Sequence, residues 1–224
     1  MCNFLWRNDR RLKNLEIIFV RHAQSCSNAS IEYTDSFHPD DPPLSPLGLK
    51  QAELLAEAFP EGGIDRIFSG TLIRTMQTVS PLARKLGLRI ELLPDLMEVG
   101  TVVSGTDMSL LPTLAPEAVA FYGDVSPTGG SVIPGNETPE KCVVRAKRAM
   151  DYIVSSCGDG ETVLIATHGA FYGYLVRYVL GISLPEPFCW QVDNCSLTRI
   201  KLRADGVPKL MTANNCAHLA GLDV

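Results

Sequence analysis

Short apolar runs alternate with longer amphipathic segments along most of this chain. Strands are predicted by the apolar runs at residues 15–20, 64–68, 89–92 and 162–166, by the alternating pattern at residues 196–202 and by a further run at residues 209–212. The run at residues 15–20 is predicted to be a buried strand, and the run at residues 162–166 is fully apolar. The order of strand and helix patterns predicts an α/β fold in which a parallel or mixed sheet lies between helices.

Helical patterns fill the stretches between these strands. Helices are predicted at residues 46–59, 71–86, 137–156 and 171–180. Ser45 is expected to cap the first helix, with Pro46 in its first turn. Ser69 or Thr71 is able to cap the second helix, and Gly87 is expected to end it.

The alternation stops between residues 100 and 135. This stretch is rich in glycine, proline, serine and threonine, is nearly uncharged, and is too long for a simple connection. We therefore predict that residues 100–135 form a cap insertion within a single domain that spans residues 1–224. The apolar part, residues 99–133, fits a substrate cap or the surface of a homodimer, and the sequence leaves both open. Residues 29–43, irregular and acidic, are predicted to be a loop over the site.

The composition is typical of a globular protein with a sizeable core. The chain has 224 residues, of which 46% are hydrophobic. It contains no run of about 18 consecutive apolar residues. Its first residues include Trp6 and mixed charges, where a signal peptide would need an unbroken apolar core. These features predict a cytoplasmic protein with no membrane partner.

Charge and cysteine content narrow the range of partners. A net charge of −5, with no basic cluster beyond residues 7–13, argues against a nucleic-acid surface. The seven cysteines are odd in number and include no Cys-x-x-Cys pair, so reduced thiols are expected rather than disulfides. Neither the histidine nor the cysteine spacing indicates a metal site. A small substrate is the partner that these features favour.

The candidate chemistry begins at the end of the first predicted strand, where Arg21 and His22 stand side by side. Ser25 and Asn28 follow in a polar segment. Ligand sites of open α/β sheets lie at the carboxyl ends of the strands, and a guanidinium beside an imidazole suits an anionic substrate. The simplest candidate is a phosphate, with His22 as the nucleophile.

Two further residues extend this candidate site. Arg74 falls within the first turn and a half of the second predicted helix, where backbone N–H groups and the positive dipole end favour an anion. His168 lies between the strand predicted at residues 162–166 and the helix that follows it. Both residues are therefore placed as ligands of an anion.

Seven motifs along almost the whole chain carry a resemblance to a known family. They are RHAQS at residues 21–25 with Asn28, PLSPLGLKQA at 43–52, FSGTLIRTMQT at 68–78, LMEVG at 96–100, PGNET at 134–138, THG at 167–169 and NCSLTRI at 194–200. In these motifs the sequence resembles the histidine phosphatase superfamily, which includes cofactor-dependent phosphoglycerate mutases and many phosphomonoesterases. The resemblance implies a phosphoglycerate mutase-like fold, a three-layer sandwich around a mostly parallel mixed sheet.

The resemblance also implies catalytic roles. His22 would become a phosphohistidine, Glu98 would protonate the leaving oxygen and later act as a base toward water, and His168 would grip the phosphoryl group. Attack by one ring nitrogen of His22 leaves the other in need of an acceptor, which we expect to be a backbone carbonyl near the strand end. Residues TVVSG replace the aromatic and acidic residues that usually follow the family glutamate, so Glu91 and Asp95 stay open as alternative acids.

Phosphate binding is implied for a second group of residues. Arg21 and Arg74 would grip the phosphoryl oxygens, and Asn28 matches a family residue near the transferred phosphate. Ser25 and the backbone of Gly169 are weaker matches. Because two arginines and a second histidine can neutralise the developing charge, we expect neither a metal ion nor a cofactor.

These expectations define a metal-independent phosphatase that hydrolyses a small phosphorylated metabolite through a phosphohistidine. Two alternatives stay open. One is a mutase that returns the phosphoryl group to a second oxygen and needs a bisphosphorylated primer, although the Arg-x-Tyr-Gly pattern expected of glycolytic mutases is missing. The other is a non-catalytic module that binds a phosphorylated ligand.

Overall fold

One sheet organises the part of the chain that the structure describes. This structure, a computed structural model, describes residues 13–33, 40–100, 108–121, 137–182 and 190–222. Its strands are β1 (Leu15–Arg21), β2 (Arg66–Ser69), β3 (Ile90–Leu92), β4 (Ala118–Phe121), β5 (Thr162–Thr167), β6 (Leu197–Leu202) and β7 (Lys209–Asn215). All six predicted strands are among them.

The strand order is β4-β3-β2-β5-β1-β6-β7. The strands from β4 to β1 pair in parallel, whereas β6 is antiparallel to β1 and β7 is antiparallel to β6. The predicted mostly parallel mixed sheet is therefore confirmed. Because β1 and β5 are parallel neighbours, the residues that follow them meet at the same edge of the sheet.

Helices cover both faces of this sheet. They are α1 (Pro46–Glu57), α2 (Ile73–Leu86), the short α3 (Leu111–Leu114), α4 (Pro139–Ser156) and α5 (Gly169–Leu180). Helix α1 packs against α2, and α4 packs against α5. Single 3-10 turns occur at Pro94–Leu96, Met108–Leu110 and Ala217–Leu219.

The side chains of β1 show why the sheet needs a helix layer on each face. Ile18 and Val20 join the apolar cluster formed with α1 and α2, whereas Ile17 and Phe19 join the cluster formed with α4 and α5. All four side chains are fully buried. A strand buried on both faces is apolar at every position, and the expected three-layer α/β sandwich is confirmed.

Two predicted helix signals are found at their expected places. The hydroxyl of Ser45 accepts a hydrogen bond from the backbone N–H of Gly48 at 3.0 Å and caps α1. Helix α2 ends at Gly87, whose φ of +65° lies in the left-handed region that glycine favours.

The predicted cap of α2 is wrong. Neither Ser69 nor Thr71 caps this helix, and its N-cap residue Leu72 makes no side-chain cap. The carboxylate of Asp41 does so instead, because its two oxygens accept the N–H of Ile73 at 3.0 and 3.2 Å. The capping group therefore comes from the loop before α1.

The stretch at residues 100–135, for which no strand or helix was predicted, contains two elements. Helix α3 and strand β4 lie within it, and β4 extends the sheet in parallel beside β3. Neither element was predicted from the sequence. Residues 101–107 and 122–136 lie outside the described residues, so their role as a cap or a dimer surface stays a prediction.

Two further findings concern the cysteines and the helices. The described cysteines are all free thiols, as expected: Cys26, Cys142, Cys157, Cys195 and Cys216. Among the helices of the described ranges, none is both long enough and apolar enough to cross a membrane.

Candidate active site

Two histidines follow the two central parallel strands. Arg21 pairs with Thr167 at the ends of β1 and β5, and the N–H of His22 donates to the carbonyl of Thr167 at 2.9 Å. This register places His22 beside His168, with 5.3 Å between the ring centroids. Both rings are buried. The sheet topology thus brings together two predicted site residues that are 146 positions apart in the sequence.

Hydrogen bonding fixes the tautomer of His22. Its Nδ1 lies 2.8 Å from the carbonyl oxygen of Ala23, which can only accept, so Nδ1 carries the proton and Nε2 keeps its lone pair. The N–H of Ala23 in turn donates to Thr78 Oγ1 at 2.9 Å, and this second hydrogen bond holds Ala23 and its accepting carbonyl in place. The expectation of a backbone carbonyl as acceptor is confirmed.

The surroundings of His22 also keep its ring neutral. Burial first, and then the charges of Arg74 and Arg21, lower the pKa of His22 from 6.5 to about 3. A neutral ring with an unprotonated Nε2 is the form that can attack phosphorus. Near neutral pH His22 would therefore need no base to remove a proton before it attacked phosphorus.

This low pKa predicts a pH-dependent loss of stability. Between pH 6.5 and about 3 the unfolded chain binds a proton on His22 that the folded protein does not, so stability falls as the pH is lowered through this window. Between pH 6.5 and pH 5 this single group should lower the free energy of unfolding by about 2 kcal/mol. Denaturant unfolding at both pH values should show a smaller decrease for His22→Ala than for the native protein. Equal decreases would contradict a neutral His22.

Two arginines, the half-buried Arg21 and the buried Arg74, flank the histidine pair. Arg21 donates from Nη1 to the carbonyl of Val192 at 2.6 Å, and its buried Nε has no hydrogen-bond partner among the described residues. Arg74 is 9% exposed, and its Nη1 lies 3.7 Å from Asp41 without a hydrogen bond in the described part of the chain. Burial lowers the pKa of each guanidinium, although arginine stays charged in proteins. Buried donors with unused capacity suit an anionic ligand.

These side chains open on a cavity of about 740 Å³. Its volume is within the range of small-molecule sites. Six of the eight predicted site residues line it: Arg21, His22, Ser25, Asn28, Arg74 and Glu98. His168 and Gly169 do not line it.

The carboxylate of Glu98 is held at the start of α5. Its Oε1 accepts the N–H groups of Val99 at 2.9 Å and Phe171 at 3.0 Å, and its Oε2 accepts the N–H of Ala170 at 3.3 Å. Three backbone donors thus fix the group in the cavity wall. The charge of Glu98 also raises the pKa of Arg21, against the larger effect of burial.

The two alternative acids are engaged elsewhere. Glu91 binds Arg66 through both carboxylate oxygens at 2.6 to 2.8 Å. Asp95 forms an ion pair with Arg148. Neither carboxylate lines the cavity. The structure therefore favours Glu98 among the three candidates.

Ser25 and Asn28 shape the loop that follows β1. The N–H of Ser25 donates to Asn28 Oδ1, and the N–H of Asn28 donates to Ser25 Oγ, both at 3.2 Å. Asn194 Nδ2 donates to Asn28 Oδ1 at 3.2 Å and to the carbonyl of His22 at 3.0 Å. This network connects the loop to His22, and the predicted residues Ser25 and Asn28 both line the cavity.

His168 lies beside His22, and Gly169 lies beside Arg21, although neither is among the described residues that line the cavity. Neither ring nitrogen of His168 has a hydrogen-bond partner among the described residues, although the side chain is fully buried. Burial and then the charge of Arg74 hold the pKa of His168 well below its usual value. At Gly169 a Cβ atom would lie 3.3 Å from Arg21 Nε, so this glycine lets the guanidinium lie close to the first residue of α5.

Both helix N-termini near the site are occupied by carboxylates of the chain. Asp41 binds the first N–H of α2, and Glu98 binds two N–H groups of α5. Part of the hydrogen-bonding capacity of these N-termini is therefore used within the chain. Arg21 and Arg74 are the cations among the described residues that line the cavity.

Sequence reasoning missed Arg145 of α4, which braces Glu98 from two sides. This buried guanidinium binds Glu137 through two hydrogen bonds of 2.7 Å and donates to the carbonyl of Met97, directly before Glu98, at 2.7 Å. It also stacks 3.6 Å from the ring centroid of Phe171, whose N–H binds Glu98. Arg145 therefore positions Glu98 without reaching the cavity.

Comparison with known proteins defines the class of this protein. The profile of the histidine phosphatase superfamily (branch 1) matches residues 17–215. The chain therefore belongs to the histidine phosphatase superfamily. Within the described ranges, no group of three or more histidine, cysteine, aspartate or glutamate side chains is arranged to hold a metal ion.

Individual relatives carry names of both mutases and phosphatases. The chain is 30% identical over 190 residues to "Probable phosphoglycerate mutase GpmB" of Yersinia enterocolitica, which covers 83% of this chain and 84% of that protein. It is similar in structure to a phosphoglycerate mutase from Bacillus anthracis (TM-score 0.63, 16% identity, 94% of this chain and 97% of that one). It is also similar to a phosphoserine phosphatase from Entamoeba histolytica (TM-score 0.60, 19% identity, 92% and 99%). At such identities the two structures show the fold.

Proposed function

We propose that this protein is a phosphatase that hydrolyses a small phosphate monoester through a phosphohistidine on His22, without a metal ion or cofactor. The observation that carries the proposal is the neutral His22, whose Nδ1 proton is held by Ala23 while the half-buried Arg21 and the buried Arg74 stand beside it. Free thiols in the described cysteines fit our proposal of a cytoplasmic location.

The first half-reaction transfers the phosphoryl group to the enzyme. Arg21 and Arg74 bind its oxygens, and His22 Nε2 attacks phosphorus. The new P–N bond forms as the bond from phosphorus to the alcohol oxygen breaks, and Glu98 supplies the proton that this oxygen takes. A neutral ring N–H of His168 adds a donor to the phosphoryl oxygens. Positioning and charge neutralisation are the main requirements of phosphoryl transfer.

The second half-reaction releases inorganic phosphate. Water attacks the phosphohistidine while Glu98, now ionised, accepts its proton. The P–N bond breaks, and His22 returns to the neutral tautomer that Ala23 fixes. Each turnover therefore restores both His22 and the protonated Glu98.

A mutase differs only in the acceptor of the second half-reaction. The curated relative from Yersinia enterocolitica is named as such an enzyme, which favours this second candidate function. A mutase would return the phosphoryl group to another hydroxyl of the substrate and would need a bisphosphorylated primer. The cavity can admit either acceptor, water or a second hydroxyl of the substrate.

A turnover assay with a generic aryl phosphate tests the proposal. The purified protein should release phosphate without added metal, should keep its activity in a chelator, and should be inhibited by vanadate, which adopts the five-coordinate geometry of the transferring phosphoryl group. Activity lost in chelator and restored by magnesium or zinc would contradict the metal-free mechanism. Phosphate binding without turnover would support the non-catalytic module.

The same protein should be assayed for mutase activity. Interconversion of phosphoglycerates in the presence of a bisphosphorylated primer, faster than release of phosphate to water, would favour the mutase. We expect release of phosphate to be the faster reaction.

A further inference from the structure

The charges around the cavity are few. Among the described residues that line it, the cations are Arg21 and Arg74 and the anions are Asp40 and Glu98. Several other lining residues bear uncharged hydroxyl or amide groups: Ser25, Ser27, Asn28, Ser30 and Tyr33. In the proposed mechanism Glu98 carries its proton when the substrate binds and His22 is neutral, so the charges that then meet the substrate are those of Arg21, Arg74 and Asp40.

The phosphoryl group itself requires both arginines. A phosphate monoester carries close to two negative charges near neutral pH, and two guanidinium groups match that charge. Arg145 is already bonded to Glu137 and does not line the cavity. Among the described lining residues, no further cation is present for a second anionic group of the substrate.

The segments between the described ranges supply no lysine or arginine. Residues 34–39, 101–107, 122–136 and 183–189 contain none, and their acidic residues are Asp35, Asp107, Asp124 and Glu186. These four segments therefore carry negative charge and no lysine or arginine.

A negative field already acts at one side of the cavity. Burial first, and then the charges of Asp40 and Asp41, raise the pKa of the Tyr33 phenol. Asp41 is buried against α2, whereas Asp40 is exposed at the cavity edge. Arg74, 3.7 Å from Asp41, offsets this field in part, but the proposal assigns Arg74 to the phosphoryl group. A second negative charge on the substrate would therefore meet Asp40 without a further cation among the described lining residues, and like charges brought together weaken binding.

We propose that the alcohol portion of the substrate carries neither a carboxylate nor a second phosphate. The preferred substrates are phosphate monoesters of uncharged or amine-bearing alcohols. This inference rests on the proposed phosphatase function and narrows its substrate class. It also disfavours reactions on phosphoglycerates, because every phosphoglycerate carries a carboxylate.

Two matched pairs of substrates test this inference. Glycerol 3-phosphate has a hydroxymethyl group where 3-phosphoglycerate has a carboxylate, and phosphoethanolamine is phosphoserine without its carboxylate. In each pair we expect kcat/KM to be about 10-fold or more lower for the carboxylated member. Equal or higher kcat/KM for the carboxylated members would overturn the inference.

A charge reversal at the cavity edge provides the second measurement. Asp40→Lys places a cation beside the substrate and should narrow the ratio of kcat/KM between glycerol 3-phosphate and 3-phosphoglycerate by about 10-fold. The matched control is Asp205→Lys, which changes the charge equally at an exposed aspartate between β6 and β7. An unchanged ratio in Asp40→Lys, or the same change in the control, would contradict the role of the local field.

An aryl phosphate assayed alongside separates this inference from the proposed function. If the aryl phosphate is not hydrolysed, the proposed phosphatase function fails. If it is hydrolysed and the carboxylated substrates are turned over as well as their partners, only the inference about substrate charge fails.

Discussion

His22→Ala should abolish turnover and leave the protein without a phosphorylated intermediate. The variant keeps both arginines and the cavity but removes the only nitrogen that we assign to attack phosphorus. In the native protein, rapid quenching in alkali during turnover of a labelled substrate should trap the label on the peptide that contains residues 21–28. A phosphoramidate is stable in alkali and labile in acid, so the label should be lost on acidification.

Two further histidine variants test whether His22 alone is the nucleophile. His168→Ala should leave a slow enzyme that still becomes labelled at His22, because it removes a contact to the phosphoryl group and keeps the nucleophile. His218→Ala is the matched control, since His218 is a partly buried histidine that does not line the cavity, and it should retain most activity. Full activity of His22→Ala, or label on His168, would overturn the assignment.

The fold could be predicted wherever the signal is local. Strand β1 is buried on both faces, so its apolar run is visible without knowledge of its neighbours. The start of α1 was likewise predicted from Ser45 and Pro46, and the end of α2 from Gly87, because these residues act within one turn of chain.

Features that depend on distant parts of the chain could not be predicted. Asp41 caps α2 from 32 positions before Ile73, and no local preference contains that information. Strand β4 has four residues and pairs only with β3 at the sheet edge. Its short apolar pattern is weak beside the glycine and proline residues around it.

The candidate site was predicted from ordered motifs rather than from any single residue. The end of β1 contributes Arg21 and His22, the start of α2 contributes Arg74 and the end of β5 contributes His168. The parallel pairing of β1 with β5 brings His22 and His168 together. The sequence alone could not show that Glu98 would occupy the N-terminus of α5. That arrangement depends on the path of the chain after β3.

Arg145 had a usable signal that was not recognised. It falls on the buried stripe of α4, together with Cys142, Ala146, Ala149, Met150 and Ile153. A charged residue on an apolar stripe needs a buried partner, and Glu137 provides it. Its contacts with Met97 and Phe171, however, could be seen only in the structure.

Glu98→Gln should slow hydrolysis by roughly 10²–10⁴-fold when the leaving group is a poor one. The amide keeps the size of the side chain and one oxygen that can accept the N–H of Phe171, so the cavity wall should persist. It has no proton to give to the departing oxygen at neutral pH. An aryl phosphate with a strongly acidic phenol needs no such proton, and its rate of His22 phosphorylation should change only a few-fold.

The dependence on leaving group distinguishes an acid from a structural residue. If Glu98 only anchored the start of α5 through Phe171 and Ala170, its replacement would disturb the site equally for every substrate, and both leaving groups would be slowed by the same factor. Glu91→Gln and Asp95→Asn are the matched controls, because both carboxylates bind arginines outside the cavity. Each should leave the ratio between poor and good leaving groups unchanged. A larger change in that ratio for either control than for Glu98→Gln would assign the proton donor to that residue instead.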